Sequence, residues 1–221
     1  MNDIILMTYI DKISNKPKLP HIDHIKKSNP NSQIHIVIGK DSGYGKYYDW
    51  KNSDQQLRLW LKENIDKIGS DQVAIIEWDT LITKSIPDLP ETLDLASKTC
   101  LFKKIGVPPL PFKRMRDPMW TSENWMWWRE IPLLDLESTD QAIGLISFGF
   151  YHTRKWVLEK ILDVRFDKIF GQSIQNELRF PTVAGLCGAK VGGINLPFLE
   201  FYDVKPQKYP GIYHGVNSVI S

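Results

Sequence analysis

Val73-Ala74-Ile75-Ile76-Glu77-Trp78-Asp79-Thr80 is a continuous apolar run that ends in two carboxylates separated by one residue. Alternate side chains of a strand project to the same face, so Glu77 and Asp79 converge as the chain leaves the sheet. Two carboxylates so placed repel one another. Unless both are fully solvated they call for a cation, and hard oxygen donors suit Mg²⁺ or Mn²⁺ bridging to a substrate phosphate. The competing reading is a polar strand end, because acidic residues commonly follow strands.

The segments on either side decide what surrounds this pair. Ile4 to Ile10 reads as a buried strand, residues 20–28 as a short helix closed by Asn29-Pro30, and Ile34 to Ile38 as a second strand ending at Gly39. A polar loop runs from Lys40 to Asn52. Ser53 and Gln56 form a capping-box pattern, and Leu57, Leu61, Ile65 and Ile68 recur at helical spacing, which predicts a helix over about 54–68. Strand, helix, strand, helix, strand in that order argues for right-handed crossovers and an α/β fold, its mostly parallel central sheet flanked by helices. The carboxylate pair then lies outside the carboxyl ends of the strands, where ligands collect in open α/β sheets. Downstream, Pro108, Pro109, Pro111 and Pro118 mark residues 105–126 as an ordered loop. Residues 142–150 read as one strand, 154–162 as a helix, 171–178 as a helix stopped near Pro181, and 193–204 as a final extended region.

A chain of 221 residues with no Pro-rich or Gly/Ser-rich linker is expected to form one domain, residues 1–221. The net charge of +2 is spread along the chain, so there is no electrostatic footprint for a nucleic-acid partner. No apolar run approaches membrane-spanning length. Ile4 to Ile10 is too short for a signal-peptide core and Asp3 stands where a positive region belongs, so a cytoplasmic protein is expected. Cys100 and Cys187 show no metal-type spacing and read as two small buried thiols in a reducing compartment.

An apolar strand that ends in carboxylate-x-carboxylate, in a chain that opens with a βαβ pattern, resembles glycosyltransferases of the GT-A type. The resemblance implies a divalent cation, Mn²⁺ or Mg²⁺, held by Asp79 and by Glu77, which stands where the family norm is Asp. It also implies a division of labour, with residues 1–105 binding metal and nucleotide-sugar and 106–221 binding acceptor. Thr8-Tyr9-Ile10, Gly39 and Asp41 fall where such enzymes seat the base and ribose, with Trp78 beside them and Arg58 approaching the same pocket. Strand-end polarity and a solvated helix face are the competing explanations.

Gln175-Asn176-Glu177-Leu178-Arg179-Phe180-Pro181-Thr182 resembles the late acidic motif of inverting members, which implies Glu177 as general base. Asp167 or Asp163 could serve instead if the loop is shifted, and Glu177 could equally be a surface carboxylate paired with Arg179 or Lys190. Tyr209-Pro210-Gly211-Ile212-Tyr213-His214-Gly215 resembles the segment that returns a histidine to the metal, which implies His214 as third ligand. Trp120, Trp125, Trp127 and Trp128 crowd into nine positions. Flat aromatic faces stack on sugar rings, while core packing is the alternative. Four tryptophans so close cannot share one buried face, so at least one is expected to line a cleft or lid. Trp120, Trp127, Trp128 and Arg179 are assigned to the acceptor.

More narrowly, the chain resembles N-terminal glycosyltransferase domains of multidomain chlorella-virus proteins that decorate capsid glycans. That resemblance implies rhamnosyl-type transfer with inversion from a UDP-sugar donor to a glycan or glycoprotein acceptor, in the host cytoplasm. Two rivals stand beside it. One is a non-catalytic sugar-binding module. The other is a nucleotidyltransferase, which would usually carry a glycine-rich basic loop after the first strand, whereas residues 11–18 hold lysines and no glycine.

Overall fold

In the computed structural model, which describes residues 2–11, 13–39, 49, 51–103, 125–146, 149–194, 199–201 and 211–214, the apolar runs 4–7 and 73–76 become neighbouring strands buried on both faces. The elements follow in the order β1 (Asp3–Tyr9), α1 (Ile22–Ser28), β2 (Ile34–Gly39), α2 (Ser53–Asn64), β3 (Gln72–Glu77), β4 (Leu81–Ile82), β5 (Leu95–Ser97) and β6 (Thr99–Phe102). They continue with β7 (Ile143–Ile146), β8 (Phe150–Arg154), α3 (Lys155–Lys160), α4 (Asp167–Phe170), α5 (Asn176–Leu186), β9 (Val191–Gly193), β10 (Leu199–Phe201) and β11 (Ile212–His214).

The central sheet has the order β2-β1-β3-β8-β5-β9. β1 is parallel to both β2 and β3, and β5 is parallel to β9, while β8 runs against its two neighbours. The fold is therefore mixed α/β with a mostly parallel sheet, as the strand–helix alternation predicts. Period-2 projection sorts the two central strands between two cores. Ile5, Met7 and Ile75 pack with Leu57 and Leu61 of α2 on one face, and Ile4, Leu6, Ala74 and Ile76 pack with Ile25 of α1 on the other. Full burial of such a side chain contributes about 1.5–3 kcal/mol relative to exposure. β2 forms the edge, which leaves Ile36 and Ile38 exposed.

His152 of β8 lies opposite Ala74 of β3 and Ala96 of β5, small residues that leave room for its ring. It is fully buried and neither ring nitrogen has a hydrogen-bond partner. Burial, the largest influence, lowers its pKa to about 4; Asp88 opposes that shift and Arg154 adds to it. An unfolded chain binds the proton near the ordinary value, so the neutral ring favours the folded state above about pH 6.5 and that contribution is lost as pH falls toward 4. The difference corresponds to roughly 3 kcal/mol. Urea-unfolding midpoints are expected to fall across this window in the wild type and to stay flatter in His152→Leu. An equal fall in both would place the acid sensitivity elsewhere.

Three local expectations change in the folded chain. Residues 142–150 are not one strand: β7 pairs antiparallel with β6, and β8 joins the central sheet. Both halves are apolar, so the run itself carries no mark of the break. The helix expected over 171–178 instead begins at Asn176 and continues through Pro181 to Leu186. Residues 176–184 are buried, and packing on all sides offsets the hydrogen bond that proline removes. The Ser53–Gln56 capping box does not form: Ser53 Oγ accepts a hydrogen bond from Asn176 Nδ2 (2.7 Å), and the cap residue is Asn52. The loop expected over 105–126 lies largely outside the described residues, and at Met126 the chain enters a 3-10 helix that runs to Leu134.

Cys100 and Cys187 are free and half-buried, and burial pushes the Cys100 thiol up to about 11. Among the described residues no helix is long and apolar enough to cross a membrane.

Candidate metal centre

β3 delivers Glu77 at its carboxyl end, and a turn closed by Thr80 N–H donating to Glu77 O (3.0 Å) holds Trp78 and Asp79. The buried Thr80 hydroxyl donates to Gly149 O at 2.9 Å, and Glu77 N–H donates to the same carbonyl at 3.3 Å. The chain then enters β4, which pairs antiparallel with β11 as Leu81↔Tyr213 and Ile82↔Ile212. Hydrogen bonds between Thr83 and Gly211 extend the pairing: Thr83 N–H donates to Gly211 O and Gly211 N–H donates to Thr83 Oγ1, each at 2.9 Å. One step in the other direction, the same register sets His214 opposite Thr80 and beside Asp79.

His214 Nε2 lies 3.0 Å from Glu77 Oε2 and 3.3 Å from Asp79 Oδ1. The three side chains each offer a ligand atom, all within 4.8 Å of one another, and all three are largely shielded from solvent. Burial disfavours a charged imidazole, but the hydrogen bonds and charges of Asp79 and Glu77 outweigh it and raise the His214 pKa to about 10. That proton occupies the place a cation would take, and a bound metal would displace it, since only the neutral ring has a lone pair to offer. Asp79 Oδ1 is buried, and its contact with the His214 ring, at 3.3 Å, is long and poorly aligned for a hydrogen bond. Two hard carboxylates and an imidazole, with one carboxylate oxygen buried and weakly satisfied, fit a divalent cation such as Mn²⁺ or Mg²⁺.

The adjoining strand ends carry the residues assigned to the base and ribose. Tyr9 pairs with Gly39, and Met7 of the same strand pairs with Glu77, so Thr8, Tyr9, Gly39 and the carboxylates share one edge of the sheet. The Tyr9 and Trp78 rings meet edge to face at 5.3 Å. Lys18 Nζ sits 4.0 Å from the Trp78 ring centre and 5.7 Å from that of Tyr9. Sequence reasoning missed Lys18. Its chain is folded back after β1 by an Ile10–Pro17 bridge, by Thr8 Oγ1 donating to Lys18 O (2.6 Å), and by Asp11 Oδ1 accepting from Ile13 and Ser14 N–H. The Asp-x-x-Ser spacing of Asp11 and Ser14 was the available signal for that turn. Asp41 lies outside the described residues.

Other assigned residues are engaged elsewhere. Arg58 does not present its guanidinium to the nucleotide edge: it is buried, donates to the carbonyls of Ile161, Leu162 and Asp163, and pairs with Asp167 at 2.5 Å. Arg179 has no exposed surface for an acceptor. It forms a two-bond ion pair with the equally buried Asp54 and donates to Gln172 O at 2.7 Å. Helix α5 carries it inward because that helix is covered on every side. Trp127 and Trp128 are 4% and 2% exposed, and Trp125 packs edge to face with Trp128 at 5.0 Å. Core packing therefore claims these three, leaving an edge of Trp128 on a shallow cleft with Ile131, Pro132 and Leu136. Trp120 is outside the described residues.

Glu177 stands in the first turn of α5, 9% exposed, with its N–H donating to Asn176 Oδ1 at 2.7 Å. The Tyr151 hydroxyl is raised well above its ordinary value, by burial first and then by the charges of Glu177, Asp54 and Glu77. The alternatives are occupied: Asp167 pairs with Arg58 and Lys62, and Asp163 caps the turn at Arg165 N–H.

No family model and no curated protein matches the sequence. Solved structures do match in fold. The apo structure of WbbM, a bifunctional glycosyltransferase, aligns with 98% of this chain and 46% of its own at 12% identity and a TM-score of 0.51. A glycosyltransferase involved in glycosylation of the major capsid of PBCV-1 aligns over 99% and 94% at 8% identity and 0.48. A Bacillus anthracis protein assigned as a glucose-1-phosphate thymidylyltransferase aligns over 88% and 87% at 14% identity and 0.42. At such identities the likeness concerns the fold alone, and the alignment with WbbM carries it: a mixed α/β fold of the kind found in glycosyltransferases.

Proposed function

We propose that this chain is a metal-dependent glycosyltransferase that moves a hexose or deoxyhexose, rhamnose among the candidates, from a UDP-sugar to a glycan or glycoprotein acceptor with inversion. The observation that carries the reading is the meeting of Glu77, Asp79 and His214 at the carboxyl edge of the sheet. Asp79 and His214, with Glu77, would hold Mn²⁺ or Mg²⁺. When bound, the cation would offset the charge of the diphosphate leaving group. Tyr9 and Trp78 offer aromatic surface for a base, and Lys18 offers a cation close by. Glu177 would take the acceptor hydroxyl proton as that oxygen bonds to the anomeric carbon and the carbon–oxygen bond to the diphosphate breaks. The chain would serve as one domain of a larger polypeptide.

The burial of Trp125, Trp127 and Trp128 removes most of the surface on which a non-catalytic sugar-binding reading leans. A thermal-shift screen separates the readings, because a ligand that binds only the native state stabilises it by about 2.7 kcal/mol at a hundred times its dissociation constant. UDP with Mn²⁺ is expected to raise the melting temperature more than either alone. A response confined to free sugars would point to the binding module, and one confined to nucleoside triphosphates to nucleotidyl transfer. Indifference to every nucleotide with metal would overturn the proposal.

A further inference from the structure

Gly149 precedes β8 and touches the carboxylate segment twice: its carbonyl accepts from Thr80 Oγ1 and from Glu77 N–H. Its other side faces His214. A Cβ at this position would lie 2.5 Å from His214 Nε2 and 2.6 Å from Cγ, far inside van der Waals contact. Cγ joins the ring to its own Cβ, so turning the ring about χ2 relieves nothing there. The side chain must leave its χ1 well or a strand must shift, and either movement carries Nε2 away from Glu77 and Asp79.

We infer that Gly149 is a positioning residue of the metal centre: its missing side chain is what allows β11 to lay the His214 imidazole against the two carboxylates. The inference rests on the metal-dependent reading above and adds a steric requirement that can fail by itself. Gly144 provides a control, because a Cβ there would overlap the Trp125 ring in the core, with no contact to the centre.

The test is Mn²⁺ affinity, measured by calorimetry on the whole chain, for wild type, Gly149→Ala, His214→Ala, the double variant and Gly144→Ala. Gly149→Ala is expected to weaken binding by about 10–100-fold, the range found when a group that orients a ligand is disturbed. It should match His214→Ala, and the double variant should be no weaker than His214→Ala, since the two changes remove one interaction. Gly144→Ala should lower the melting temperature and leave Mn²⁺ affinity alone. In metal-free buffer the melting loss caused by Gly149→Ala should shrink in the His214→Ala background. Wild-type affinity in Gly149→Ala, or multiplied losses in the double variant, would overturn the inference while leaving the metal reading standing. A wild type that binds no Mn²⁺ would overturn the metal reading itself, and this role with it.

Discussion

Asp79→Ala is expected to lower Mn²⁺-dependent release of UDP from a UDP-sugar by on the order of a thousandfold, the scale seen when a group that stabilises developing charge is removed. Saturating Mn²⁺ should not restore the rate, because on the proposed reading the loss is that of a coordinating oxygen and with it the geometry of the remaining donors. Folding should survive. The carboxylate pairs with His214 but also sits beside the like charge of Glu77, so its removal relieves repulsion as well as costing a contact, and stability should stay within about 1 kcal/mol of wild type. The paired measurements are UDP release and the melting curve. Wild-type turnover with a normal melt would remove Asp79 from the chemistry, and a collapsed melt would make it a structural residue.

Arg179→Met is expected to have the largest effect on stability of any change considered, about 3–5 kcal/mol. The guanidinium and the Asp54 carboxylate are both fully buried, and truncating one partner strands the other charge in the core. Phe170 adds to the dependence, for the guanidinium carbons of Arg58 and Arg179 lie 4.7 Å and 5.6 Å from its ring centre. A domain of this size has about 5–15 kcal/mol in total, so the variant should unfold at far lower urea. Replacing both partners, as Asp54→Leu with Arg179→Met, should recover much of the loss because no lone charge remains. A loss below about 1 kcal/mol for the single variant would show that Asp54 finds another partner or reaches water.

Local pattern carried much of this molecule. β1, β2, β3 and α2 were readable from apolar runs, a glycine breaker and helical spacing, since each buries its side chains in a way its own period dictates. The convergence of Glu77 and Asp79 was readable for the same reason: one strand end is enough to bring them together. His214 is different. Its place beside them was an implication of resemblance alone, for it arrives from 137 residues away through the pairing of β4 with β11.

The sequence by itself determined the alternating strands and helices and the acidic exit of the third strand, because those depend on neighbours in the chain. Tertiary structure alone decided that Arg179 faces Asp54, that Trp127 and Trp128 are core, that residues 142–150 divide between two sheets, and that Gly149 faces an imidazole. Each of these is settled by which distant backbone or side chain occupies the adjacent volume, and no local period or propensity encodes that.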